Sequence, residues 1–277
     1  GERMLRAGRQ AGAPGQVRLL RLMTPAASRG GQTGARLVAL VCTAQVFVQI
    51  GAFYWPALLP QMMRHWSLSN GEAGWVTSAF YGAYMLAVPV LVTLIDAKRV
   101  YLFGVGCTVI AHLAFGLLAE GFWSAMALRA LAGLGWAGTY MTGLKLLADQ
   151  VDAKMMSRAV TGHAASIGIS GAVSYVLGDQ LAHLFGWQIA FASAGVTAAI
   201  AWVTVALAVP GRAPPARAAG QPALFDFRPV LRNRSALAYS LAYCVHTLEM
   251  NALRGWGVAF LVWVAASTGA AGGLFSP

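Results

Sequence analysis

Apolar residues run in stretches of about twenty, cut by short clusters of charge, glycine and proline. A helix needs roughly 20 apolar residues to cross the hydrocarbon core of a bilayer. The pattern predicts seven such helices, at about Leu37–Leu59, Ala73–Ile95, Val100–Ala119, Phe122–Ala148, Ala159–Leu181, Gln188–Val209 and Ala236–Ala266. Between the first two lies a polar loop, Arg64 to Glu72, in which Ser69 or Asn70 is placed to cap the following helix. Phe53, Tyr54 and Trp55 close the first span and read as an aromatic belt at the membrane surface. Pro89 marks a kink in the second span.

The breaks divide the chain into four stretches. Residues 1–35 are arginine-rich and read as a disordered basic tail without a secretory signal, with Met23 opening a more ordinary start. Residues 36–209 hold six spans. Residues 210–235, rich in Pro, Gly and Arg, form a linker. Residues 236–277 hold the seventh span and read as the start of a truncated second half.

Composition agrees with this pattern: 58% of the residues are hydrophobic and only 10% are charged, too few to clothe a soluble domain. The net charge of +11 does not indicate a nucleic-acid partner, because the arginines flank the spans. Positive charge gathers in the tail, the 96–99 turn, the 149–158 loop and the linker, which places these segments and the N-terminus in the cytoplasm. The expected setting is a bacterial inner (plasma) membrane, with the lipid bilayer as one partner. Cys42, Cys107 and Cys244 all fall inside spans, with neither a disulfide framework nor metal-ligand spacing. No cofactor or metal is expected, and the pattern leaves the oligomeric state open.

Ionisable and polar residues inside the spans are the candidate chemistry, since burying them in a bilayer is costly unless they face protein or water. Arg129 stands in the glycine-rich run from Leu128 to Gly138 of the fourth span. It reads either as a tie between helices or as a charge on an enclosed polar cavity. Gln45 and Gln49, four apart, share a face of the first span. The seventh span carries His246 and Glu249 on one face, a candidate proton relay, with Asn251 and Arg254 beyond them. Gly135, Thr139 and Gly143 on span four, and Ala164, Gly168 and Ala172 on span five, recur every four residues and predict faces of close helix contact.

Arg129-x-x-x-Gly133-x-Gly135 resembles the fourth-helix motif of the major facilitator superfamily of secondary transporters. Trp66-x-Leu68-Ser69 with Glu72-Ala73-Gly74-Trp75, and Phe185-Gly186-Trp187-x-x-Ala190-Phe191, support the resemblance. Asp96, Lys98 and Arg99 occupy the place of that family's gating loop, although the motif is shortened here. The resemblance implies an all-α, polytopic membrane bundle: six helices of an N-terminal half plus a seventh. It further implies a secondary active transporter of a small solute, proton-coupled, working by alternating access, and not an enzyme. Arg129, His246, Glu249, Arg254, Gln45 and Gln49 would then line the substrate and proton pathway. Asp96, Lys98, Arg99, Gly133, Gly135, Gly168 and Gly171 would serve gating and helix packing. Two alternatives stand beside this. Gly168-Ile169-Ser170-Gly171 is similar to the nucleophile motif of rhomboid-type intramembrane serine proteases, which makes Ser170 a candidate nucleophile with His246 as base. The chain could also be a truncated, non-transporting fragment.

Overall fold

The structure, a computed structural model, describes the backbone of residues 27–92, 96–211 and 227–268, with side chains from Gly34 onward. Among the described residues the elements are helical. They are α1 (Ala27–Gln49), α2 (Tyr54–Ala57), α3 (Leu59–His65), α4 (Asn70–Leu91), α5 (Ala97–Leu118), α6 (Phe122–Ala148), α7 (Ala153–Phe185), α8 (Trp187–Ala208), α9 (Arg228–Arg232) and α10 (Arg234–Ser267). Residues 1–26, most of the linker (212–226) and the end of the chain (269–277) lie outside the described residues.

Four helices, α4, α5, α7 and α8, are each long and apolar enough to cross a membrane, and α1 is apolar over the shorter stretch Gly34–Gln49. α6 and α10 fall short of that measure, since glycines and ionisable residues dilute their apolar character. The bounds of the later spans agree with the sequence pattern to within a few residues, except that α7 is longer at both ends.

Two expectations for the first span are corrected. Helix already covers residues 27–35, which were assigned to the tail. At its other end α1 stops at Gln49, ten residues early, and the chain turns through Ile50–Phe53 into the short helices α2 and α3. The aromatic triplet does not form a belt, because Phe53, Tyr54 and Trp55 are all buried. Trp55 Nε1 donates to Thr77 Oγ1 at 3.0 Å, and Tyr54 packs on Gly178, where a Cβ would collide with its ring. Hydropathy could not separate lipid-facing rings from protein-facing ones, as both are apolar.

The five most extensive helix contacts have an internal symmetry. α4 packs on α6, α5 on both α6 and α8, and α1 on both α7 and α8. Exchanging the first three spans (α1, α4, α5) for the last three (α6, α7, α8) maps this list onto itself. Three spans per repeat is an odd number, so the second repeat runs with inverted orientation. Close approach is set by glycine, because apolar burial gives little drive between helices already in lipid. A Cβ on Gly104 of α5 would lie 2.6 Å from the Gly138 backbone of α6, and one on Gly133 of α6 would fall on the Phe80 carbonyl oxygen of α4.

The loops are pinned by polar contacts. Ser69 and Glu72 form a capping box at the start of α4, in which Ser69 N–H donates to Glu72 Oε2 at 2.8 Å and Glu72 N–H donates to Ser69 Oγ at 3.2 Å. At the other end of the bundle, Asp96 Oδ1 caps α5 by accepting from the backbone N–H groups of Lys98 and Arg99. Its second oxygen lies 3.3 Å from Arg99 Nε. Lys98 Nζ donates to the Ala206 carbonyl in the last turn of α8 at 2.9 Å, as suits a cation at a helix C-terminus. Lys145 Nζ donates to the Val92 carbonyl. Of the three residues expected in a gating loop, Asp96 and Arg99 thus fix the start of α5 and Lys98 ties it to the end of α8, while Lys145 ties α6 to the end of α4.

Candidate functional site

Arg129 is 3% exposed, so the guanidinium is held by protein and not by lipid. Its Cζ sits 4.3 Å from the centroid of Phe80 on α4, a cation–π distance. Among the described residues its Nε and Nη1 have no hydrogen-bond partner, and no carboxylate pairs with it. Gly133, one turn further along α6, is what lets Phe80 come this close.

Arg254 of α10 mirrors this arrangement. Its Cζ lies 5.7 Å from the centroid of Phe53, and its backbone carbonyl accepts from Tyr175 Oη at 2.5 Å. The two arginines are joined by a continuous run of rings. Tyr175 stacks on Phe53 at 5.6 Å, Phe53 meets Trp136 edge-on at 5.8 Å, and Trp136 meets Phe80 at 4.9 Å. Tyr84 reaches Trp136 at 6.1 Å, and Tyr81 packs edge-on against Phe80 at 5.2 Å. The Tyr81 hydroxyl lies within electrostatic reach of both guanidiniums, while Tyr140 and Tyr175 lie within reach of Arg254. The result is a half-buried aromatic wall built by the corner after α1 and by α4, α6, α7 and α10. It carries phenol hydroxyls and two cations, and no carboxylate forms an ion pair with either cation among the described residues.

The other expected residues are distributed unevenly. Gln45 and Gln49 are buried behind the wall and held by neighbours: Tyr101 Oη donates to Gln45 Oε1 at 3.0 Å, and Ser170 Oγ to Gln49 Oε1 at 3.4 Å. Gly135 packs against Thr108 and Gly104 of α5, and not against span five. Gly143 does meet span five, through His163. The small-residue face expected on span five meets no other helix within the described residues. Ala164, Gly168 and Ala172 are exposed, and a Cβ on Gly168 would touch nothing. The buried stripe is instead His163, Ser166, Ser170, Ser174, Gly178 and Ala182. Ser174 Oγ accepts from Phe53 N–H at 3.0 Å. Gly171 sits at the edge of that stripe, with the Phe53 ring 3.5 Å from where its Cβ would be.

His246 and Glu249 are exposed on α10, and the structure does not bring them to Arg129. Among the described residues they form no ion pair with each other. Ser170 is fully buried, and its one hydroxyl proton is shared between Gln49 Oε1 and the nearer Ile167 carbonyl at 3.0 Å. Its hydrogen-bond partners are an amide and a backbone carbonyl, and neither is a general base. No group of His, Cys, Asp and Glu among the described residues has the arrangement of a metal site.

Sequence reasoning passed over Tyr81, Tyr84, Trp136, Tyr140 and Tyr175, and also the buried His112 and His163. A signal for them was present. Tyr81 and Tyr84 are one turn apart, as are Trp136 and Tyr140, and a histidine inside a span is as notable as an arginine.

The family model for the Major Facilitator Superfamily matches residues 40–277. The chain belongs to that superfamily. It is therefore an integral, multi-pass membrane protein of a transporter family and not an enzyme, which removes the hydrolase alternative at Ser170. Among curated relatives it is 26% identical to protein spinster homolog 1 of Bos taurus over 241 residues, covering 82% of this chain and 46% of the relative. The human homolog is 24% identical with the same coverage. The chain thus spans about half the length of the curated relatives it matches. In fold it is similar to the POT family transporter PepTSo, with a TM-score of 0.57 at 17% identity, covering 80% of this chain and 51% of that one. A second solved structure, of proton-dependent oligopeptide transporters, gives a TM-score of 0.54 at 17% identity, covering 85% and 52%. In this superfamily member the arginine–glycine motif serves a definite local purpose: Gly133 removes the bulk that would keep Phe80 away from Arg129.

Proposed function

We propose that the chain forms the N-terminal half and seventh helix of a secondary transporter that carries a small solute bearing an anionic group. The observation that carries this reading is the pair of guanidiniums on one aromatic wall, lacking carboxylate partners among the described residues. An anionic group would supply that counter-charge, and the rings would hold the body of the solute by stacking. The inverted three-helix repeats support alternating access, in which helix bundles rock about a site near the midplane.

Proton coupling is part of the proposal. His246 and Glu249 lie on a face of α10 that the described chain leaves open, and ionisable residues in a span default to pathway roles. Asp96, Lys98 and Arg99 are assigned to the cytoplasmic gate, with the N-terminus on that side. We place the protein in a bacterial inner membrane; fractionation of its source cells tests this directly. For the activity, the test is uptake of a panel of small anions and neutral analogues into proteoliposomes with an imposed proton gradient. Anion uptake that falls in Arg129→Ala supports the reading. Uptake of neutral solutes alone, or anion uptake indifferent to Arg129→Ala, overturns it.

A further inference from the structure

Behind the aromatic wall, between α1, α4, α5 and α6, is a cavity of about 10 Å³ lined by Gln49, Thr108, His112, Trp136 and Thr139, with apolar walls from Val48, Ala52, Phe80 and Ala132. That is close to the smallest space that admits one water molecule. Two lining side chains have a buried nitrogen without a hydrogen-bond partner among the described residues, Gln49 Nε2 and Trp136 Nε1. Gln49 is 2% exposed. Leaving two buried polar atoms unsatisfied in one place is costly, and native interiors avoid it.

The chemistry of the lining is complementary to a single ligand. Gln49 Nε2 and Trp136 Nε1 can only donate. His112 Nδ1 lies 2.9 Å from the Thr108 carbonyl and the Nε2 edge of the ring lies against Gly51, so the imidazole walls the cavity and is spoken for on both sides. The Thr139 hydroxyl donates to the Trp136 carbonyl at 3.2 Å, and the Thr108 hydroxyl to the Gly104 carbonyl at 3.0 Å. Both therefore offer only lone pairs to the cavity. Two donors and two acceptors around one small void suit a molecule that accepts twice and donates twice.

We propose that this cavity is a binding site for one structural water. The water accepts from Gln49 and Trp136 and donates to the Thr108 and Thr139 hydroxyls, beside the His112 ring. It joins the last residue of α1, at the break in the first span, to α5 and α6. It also fixes the indole of Trp136, whose ring forms the centre of the aromatic wall. The inference does not depend on what the protein carries.

Brief X-ray radiolysis converts a bound water into a hydroxyl radical that oxidises the side chain it touches, so the full-length protein in lipid nanodiscs can be footprinted and read by mass spectrometry. His112 is the reporter. Phe115 and Phe191, 2% and 1% exposed within the apolar core, are the dry controls. His112 is expected to oxidise several-fold faster than either phenylalanine, and Gln49→Met should bring it down to their level. Thr139→Val is the second variant should Gln49→Met fail to assemble, with the same expected fall. Oxidation of His112 at the phenylalanine level in the unaltered protein means a dry cavity and overturns the proposal. Oxidation unchanged in whichever variant assembles overturns it as well, since the water would then be held by other groups.

Discussion

α6 and α10 each carry one arginine seated over a phenylalanine, yet they are opposite kinds of helix. α6 buries twelve residues against its neighbours, and α10 buries only Gly255. In a soluble protein the apolar residues exposed along α10, such as Tyr239, Leu248 and Trp263, would by themselves argue for a missing partner. In a bilayer they do not, because lipid covers them at no cost. What does call for a covering surface is the exposure of His246 and Glu249 on the same helix, since neither is content in hydrocarbon. Beside a membrane, then, the polar exceptions are diagnostic and the apolar exposure is not.

The largest effect that separates the two helices is steric. Gly133→Ala places a Cβ on the Phe80 carbonyl oxygen, so α4 must move off α6, and a loss of about 1–3 kcal/mol is expected from overpacking. Gly255→Ala, whose Cβ meets only Thr77 Cγ2 at 3.7 Å, should stay within about 0.5 kcal/mol. Tryptophan-monitored unfolding in detergent measures both. Equal losses would mean that α10 is packed as tightly as α6, and the contrast would disappear.

Next comes the charge. A hydrogen bond to a charged group is worth about 1.5–3 kcal/mol, and about 1.4 kcal/mol is a factor of ten. Arg129→Ala should therefore cut anion uptake by roughly tenfold or more, by the same conversion. Arg129→Lys should not restore it, because an ammonium lacks the flat face that lies on Phe80. Arg254→Ala, at the longer ring distance and less buried, should lose less. The reverse order would make α10 the principal binding helix.

The third test separates function from structure on α10. Glu249→Gln and His246→Ala should leave the unfolding midpoint unchanged within error while reducing proton-driven uptake. A drop in stability would show that these side chains are structural ties.

The smallest difference lies at the helix starts. Ser124 Oγ accepts from the backbone N–H groups of both Glu120 and Gly121, and Asn233 Oδ1 accepts from that of Ala236. Loss of such caps costs about 0.5–2 kcal/mol. Ser124→Ala should sit toward the upper end of that range and Asn233→Ala toward the lower, since Ser124 satisfies two groups and is the more buried.

Most of the fold was legible because a bilayer imposes a length on apolar runs, and α6 was read to the residue. The arginine–glycine motif, too, pointed to a real close contact. What stayed hidden was facing within the described bundle. On span five, two small-residue stripes compete, Ala164/Gly168/Ala172 and Ser166/Ser170/Ser174/Gly178. Size alone favours neither, but the hydroxyls of the second needed partners, and that decided which side turned inward. The early end of α1 was hidden for a similar reason: nothing in hydropathy marks a break whose peptide groups are satisfied by a distant helix, as Phe53 N–H is by Ser174. The tyrosines of the wall were missed because an aromatic residue in a span looks the same whether it faces lipid or a site.

Phe53 occupies the corner where the first span breaks. Its amide is anchored to α7, its ring is clasped by Tyr175 and Trp136, and the α10 arginine rests on its face. Any displacement of the seventh helix is therefore delivered to a rigid knuckle shared by three others. The corner of the first span is thus held at a single ring from α6, α7 and α10 at once.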